Sequence, residues 1–218
     1  MKIKTAVGAA LLVSAFHTAR ADATDNVTAG QVRQDQVFAS EFGDTRPPVG
    51  YVRFCAENPV ECRGYSVTEK FKSAQLPMSQ ERWNLLYQVN TYVNGKIKPV
   101  SDLDLYGEAE HWAYPINAGD CEDYLLLKKR ELEKLDFAAK SLRITVVLDE
   151  NSQGHAVLTV TTDEGDFVLD NRRNDILLWN DTNYTFLKRQ SEKDPRHWVA
   201  LLKLPNHATT VVASGPRR

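Results

Sequence analysis

The sequence predicts an α+β fold, with helices first and an antiparallel sheet after them. Three observations lead there. Apolar residues recur at helical spacing along "PMSQERWNLLYQVNTYVNGKI" and again in the segment that starts at Cys121. From Leu142 the pattern changes to β-rich runs: "LRITVVL", "HAVLTVTT" and "DFVLD". The turns "DENSQG" and "TDEG" between them are short, which suits an antiparallel meander.

In chain order, residues 1–23 read as a secretory signal peptide. Lys2 and Lys4 precede an apolar run from Ala6 to Phe16, and Ala19-Arg20-Ala21 or Ala21-Asp22-Ala23 supplies a cleavage site. That run is too short to span a bilayer, and no later stretch is long and apolar enough to do so. An N-terminal anchor helix is the alternative. Residues 24–45 are polar and aperiodic, so a flexible tail is expected. Residues 46–205 form the domain, starting at "RPPVGYVRFC", and 206–218 a small polar C-terminal tail.

Ser79 should cap the first helix, with Arg82 at its third position. Trp83, Leu86, Tyr87, Val89, Asn90 and Val93 form the expected core stripe. "PVSDLDLYGEAEHWAYPINAGD" reads as a long irregular loop. The helix from Cys121 follows, with Tyr124, Leu125, Leu132 and Leu135 on one side. "YTFLKRQS" and "HWVALLKL" add two further strands.

Charge excludes some partners. The 27 Lys and Arg residues nearly balance 29 Asp and Glu, which gives no electrostatic reason to expect nucleic acid or a polybasic membrane contact. Export also changes how the cysteines read. Cys55 and Cys62 stand seven apart around Pro59, and two close cysteines in an oxidising compartment usually pair. A metal pair is the rival, but no other Cys or paired His stands nearby. Cys121 is then a free thiol, either buried and inert or kept for chemistry.

His155 opens one strand, and Asp170 closes the next across a short turn. In an antiparallel hairpin those two ends lie at the same sheet edge, although spacing alone leaves the register open. With Cys121 at a helix N-terminus facing that edge, the three supply a nucleophile, a base and a residue that orients the base. Taken singly, each has a plainer role: a small buried residue, a solvated loop histidine, a turn cap.

The ordered series "GYVRFC", "ERW" with "VN", "SDLDLYG", "HWAYP", "GDCEDY", "GHAVLTV", "FVLDN", "KRQS" and "HWV" resembles the bacterial transglutaminase-like cysteine proteinases, over roughly Arg46 to Leu204. The resemblance implies a papain-like or transglutaminase-like α+β fold and a Cys121, His155, Asp170 triad. It implies a protein substrate. The best-known relatives are periplasmic, calcium-dependent endopeptidases that cut a large surface adhesin and so release biofilm cells. In them the acids flanking the cysteine take part in calcium binding, which maps onto Asp120 and Glu122, with Asp123 and Asp102 as further candidates. Stand-alone members lack a known adhesin or membrane-bound regulator, so neither partner is fixed by the resemblance.

The acids around Cys121 pose a physical problem. One carboxylate about 6 Å from a thiolate, at an effective dielectric near 20, costs roughly 2–3 kcal/mol. Either the acids point away, Asp120 capping the helix and Asp123 complementing its dipole, or Asp120 and Glu122 hold a hard cation. The two are compatible. The spacing is not that of an EF-hand. Three functional readings stay open: an exported cysteine endopeptidase, a transglutaminase or amidase using the same acyl-enzyme, and a non-catalytic exported binding module.

Overall fold

The computed structural model describes residues 37–66, 68 and 73–203. The expected signal segment, residues 24–36 of the tail and the tail 206–218 lie outside the described residues. Among the described residues no helix is long and apolar enough to cross a membrane.

Among the described residues there are nine strands and four α-helices. A seven-stranded, wholly antiparallel sheet has the order β1-β9-β8-β4-β5-β6-β7. Its strands are β1 (Asp44–Thr45), β4 (Leu142–Leu148), β5 (Gly154–Thr161), β6 (Asp166–Asp170), β7 (Arg173–Leu178), β8 (Thr185–Gln190) and β9 (Trp198–Ala200). The helices are α1 (Val49–Glu57), α2 (Gln80–Lys96), α3 (Asp102–Tyr106) and α4 (Cys121–Lys134). The α+β expectation holds.

Period-2 alternation decides which strand residues meet the helices. Leu142, Ile144, Ala156, Leu158, Val160 and Leu169 pack with Leu86, Val89 and Val93 of α2 and Leu125 and Leu132 of α4. Val147, Val157, Val168 and Phe186 form a second core with Ala39 and Leu201. Both faces of the sheet are therefore covered, and the central strands read as nearly continuous apolar runs.

Several elements depart from the sequence reading. The expected loose tail is ordered over its last residues. Ala39 is buried and its N–H donates to Asp166 Oδ2 at 2.9 Å. Glu41 pairs with Arg143 and Arg189 at 2.8 and 2.9 Å. Buried guanidinium groups need that carboxylate, which polarity alone did not reveal. Tyr87 is exposed rather than in the α2 stripe. Asn90 is buried as the stripe expects, donating to the carbonyls of Arg173 and Asn174 at 3.2 and 3.0 Å. Leu135 is exposed at the end of α4. Strand β7 was unforeseen, since an edge strand can be polar and "RNDILL" gives little alternation.

The long loop also has structure. Ser101 caps α3 by accepting the Asp104 N–H at 3.2 Å, and Gly107 ends it at φ +75°. β2 (Lys98–Pro99) then pairs in parallel with β3 (Ala118–Gly119), which leads directly into α4. Cys55 and Cys62 form a disulfide, with Cα atoms 5.4 Å apart.

Candidate active site

Cys121 is the first residue of α4, where the helix leaves backbone N–H groups unpaired. The helix packs on β5, and the N–H of Ala156 donates to the sulfur. Cys121 and His155 line one cleft together with Pro48, Glu110, Trp112, Glu122, Val146, Gly154 and Ala156.

The β5–β6 register settles how His155 meets Asp170. Leu158 lies opposite Leu169, so Asp170 comes beside Val157 and diagonal to His155 on the same face. The imidazole Nε2 and Asp170 Oδ1 are 3.0 Å apart, both side chains buried. Burial alone would raise the Asp170 pKa. The hydrogen bond and charge of His155, the Tyr184 hydroxyl and the Arg172 N–H outweigh it and hold the carboxyl at about 2. Asp170 is an anion at neutral pH, and an Nε2–H donated to it leaves Nδ1 as the basic nitrogen.

The thiol itself points elsewhere. Its Sγ donates to Glu122 Oε2 at 3.0 Å. For these side chains alone, burial and the charge of Glu122 push the Cys121 thiol well above its usual range. Burial and proton sharing with Asp120 push Glu122 up to about 9. Burial pushes Asp123 up to about 7, against the donated Ala113 N–H. Asp102 is raised by burial as well.

These acids tie the loop to α4 instead of capping it. Asp120 sits at the N-cap but makes no side-chain cap bond. Its Oδ2 accepts the Asp102 N–H at 3.2 Å. Asp102 in turn accepts the His111 N–H, and Asp123 Oδ1 accepts the Ala113 N–H at 2.8 Å. The expected Asp120 cap is therefore replaced by a bond across the loop.

One oxygen on each of three acids is left over. Asp102 Oδ1, Asp120 Oδ1 and Asp123 Oδ2 are buried without a partner. The three residues offer oxygens within 4.8 Å of one another. Asp120, Cys121 and Glu122 form a second such group that shares Asp120. Buried carboxylate oxygens lacking donors, drawn from three acids, fit a hard cation such as calcium. Of the two acids flanking Cys121, Asp120 belongs to the three-acid group, while Glu122 lies against the thiol.

Residues 41–205 match the family model for the bacterial transglutaminase-like cysteine proteinases (BTLCP). The chain belongs to that family. As a member it is a cysteine peptidase. Solved structures of Legionella pneumophila LapG are similar to it. The calcium-bound form is 18% identical, with a TM-score of 0.48, and the match covers 84% of this chain and 91% of that one. The EGTA-treated form is 22% identical, with a TM-score of 0.44, covering 66% of this chain and 74% of that one. No curated protein matches the chain.

Within this family member, some site residues carried no sequence signal. Tyr184 donates to Asp170 Oδ2 at 2.6 Å from 14 positions away, and nothing in "NYTFLKRQS" points to that partner. Trp112 and Glu110 of the acidic loop line the cleft. Trp179 packs on Phe186 at 5.4 Å against the second core, and it is not among the cleft-lining residues.

Proposed function

We propose that the chain is an exported, periplasmic cysteine endopeptidase with a papain-like arrangement of Cys121, His155 and Asp170. The observation that carries this reading is the His155 Nε2–Asp170 Oδ1 contact at 3.0 Å. It occupies one imidazole nitrogen and leaves the other for the thiol of a family peptidase whose cleft Cys121 and His155 line.

In this mechanism His155 Nδ1 takes the thiol proton, and the sulfur attacks the peptide carbonyl. Asp170 fixes the ring and stabilises the imidazolium. The backbone N–H of Cys121 and a second donor receive the developing oxyanion. The imidazolium then protonates the leaving amine, and the acyl-enzyme is released by water under His155 base catalysis. Asp102, Asp120 and Asp123 would hold calcium, with Glu122 beside them. Its charge would offset the carboxylate field at the thiol.

The substrate of this reading is a cell-surface protein such as a biofilm adhesin, in a circuit that can include a membrane-bound regulator. The test is digestion of a surface-protein fraction by wild type and Cys121→Ala, with and without EGTA. Wild type with calcium should cut a defined protein, and Cys121→Ala should not. Full activity of Cys121→Ala would end the reading. Incorporation of a labelled amine without chain cleavage would assign the acyl-enzyme to transamidation.

A further inference from the structure

We infer that Tyr184 is a positioning residue for the peptidase reaction, its hydroxyl fixing one oxygen of Asp170 so that the other stays on the His155 imidazole. This rests on the triad proposed above.

A carboxylate held at one oxygen can still rotate about the bond to its Cβ, and its hydrogen bond to the ring then wanders. Two anchors on opposite oxygens define its plane. Oδ1 of Asp170 meets His155 Nε2 at 3.0 Å and the Arg172 N–H at 3.0 Å. Oδ2 receives the Tyr184 hydroxyl at 2.6 Å. That length suits an O–H donated to an anion. Arg173 lies 3.6 Å from the same oxygen, beyond hydrogen-bond distance. Tyr184 is thus the side-chain donor on that side.

The tyrosine is itself held. Arg173 donates to its oxygen at 3.2 Å and stands 5.3 Å from the ring centroid. Its N–H donates to Thr182 Oγ1 at 3.2 Å, and the Thr182 hydroxyl donates to the Trp179 carbonyl at 2.8 Å. The ring also meets the His155 ring edge-on, 5.7 Å between centroids at 82°. One side chain therefore orients the carboxylate and walls the imidazole. Burial and the Asp170 charge push the phenol up to about 12, so it remains a donor across the working range.

Tyr184→Phe separates the two roles, because it removes the hydroxyl and keeps the ring. It is read beside Asp170→Asn and the double variant, in calcium-containing buffer. The measurements are thermal unfolding, cleavage of the surface protein that wild type cuts, and the alkylation rate of Cys121 by iodoacetamide. The alkylation rate needs the activated thiol but no peptide binding. Tyr184→Phe should melt within a few degrees of wild type, yet lose about tenfold in both rates, about 1.4 kcal/mol. In the Asp170→Asn background the same change should cost less than twofold, because its target is gone. Wild-type rates in Tyr184→Phe would overturn the inference, as would an undiminished tenfold loss on top of Asp170→Asn. If Asp170→Asn alone keeps full rates, the triad reading falls and takes the inference with it.

Discussion

The sulfur of Cys121 lies 3.0 Å from Glu122 Oε2, its hydrogen directed to a carboxylate. Once Glu122 is ionised, a nucleophile so placed feels a field that opposes its own ionisation. Calcium among the neighbouring acids would offset that field. A lower thiol pKa would raise the thiolate fraction near neutral pH. The higher nucleophilicity of a more basic thiolate would return only part of that gain. Chelation should therefore slow alkylation of Cys121 by iodoacetamide, and added calcium should restore it. Equal rates with EGTA and with calcium would reduce the acids to a structural role.

One of the three unpartnered oxygens, Asp123 Oδ2, sits against Gly119. A Cβ there would stand 2.3 Å from Asp123 Oδ2 and 2.7 Å from its Cβ. Asp123 cannot swing away cheaply, since it is fully buried and holds the Ala113 N–H. Gly119→Ala should displace the carboxylate and weaken calcium binding at least tenfold, about 1.4 kcal/mol. Thermal unfolding with and without calcium reads this directly. A calcium-induced shift as large as the wild type's would remove Asp123 from the site.

Much of this site was legible in the chain, for reasons that differ by residue. His155 and Asp170 were readable because a short turn forces two strand ends together, and the Leu158–Leu169 register then places them diagonally. Cys121 was readable because a helix start follows a loop rich in Gly and Asp. Asp102 gave a weaker signal, 18 positions from Asp120, which the parallel β2–β3 pair and its own backbone bond bring to the helix start. Tyr184 was not readable, since its contact depends on how the turn before β8 meets the end of β6, two strands that are not neighbours in the sheet. The ordered segment at Ala39–Thr45 was hidden for a similar reason. Its anchors, Arg189 and Asp166, are more than 120 positions away.

The Cys55–Cys62 bridge closes a small loop at the end of α1, whose Tyr51 and Phe54 belong to the main core. By chain entropy, so short a loop stabilises by roughly 2.5 kcal/mol. For a domain of this size that is a melting shift of about 5–10 °C. Replacing both cysteines by alanine should lower the melting temperature by that amount. An unchanged melting temperature would show that the core alone fixes this end of α1.

Lys128 lies on α4, seven positions after Cys121. It is fully buried, and its Nζ has no hydrogen-bond partner. Burial pulls its pKa down from 10.5 to about 7, and Asp170, the charged group acting on it, pulls only weakly upward. Between those two values the unfolded chain binds a proton that the folded chain does not, so this group makes stability rise with pH. Below about pH 7 both states carry the charge, and the folded state bears the full cost of burying it. The shift sets that cost at roughly 5 kcal/mol. Lys128→Met keeps the volume and removes the charge. Denaturant unfolding at pH 6 should show the variant more stable than wild type by a few kcal/mol. By pH 10 most of that gain should be gone. A gain that is the same at both pH values would mean that Lys128 carries no buried charge.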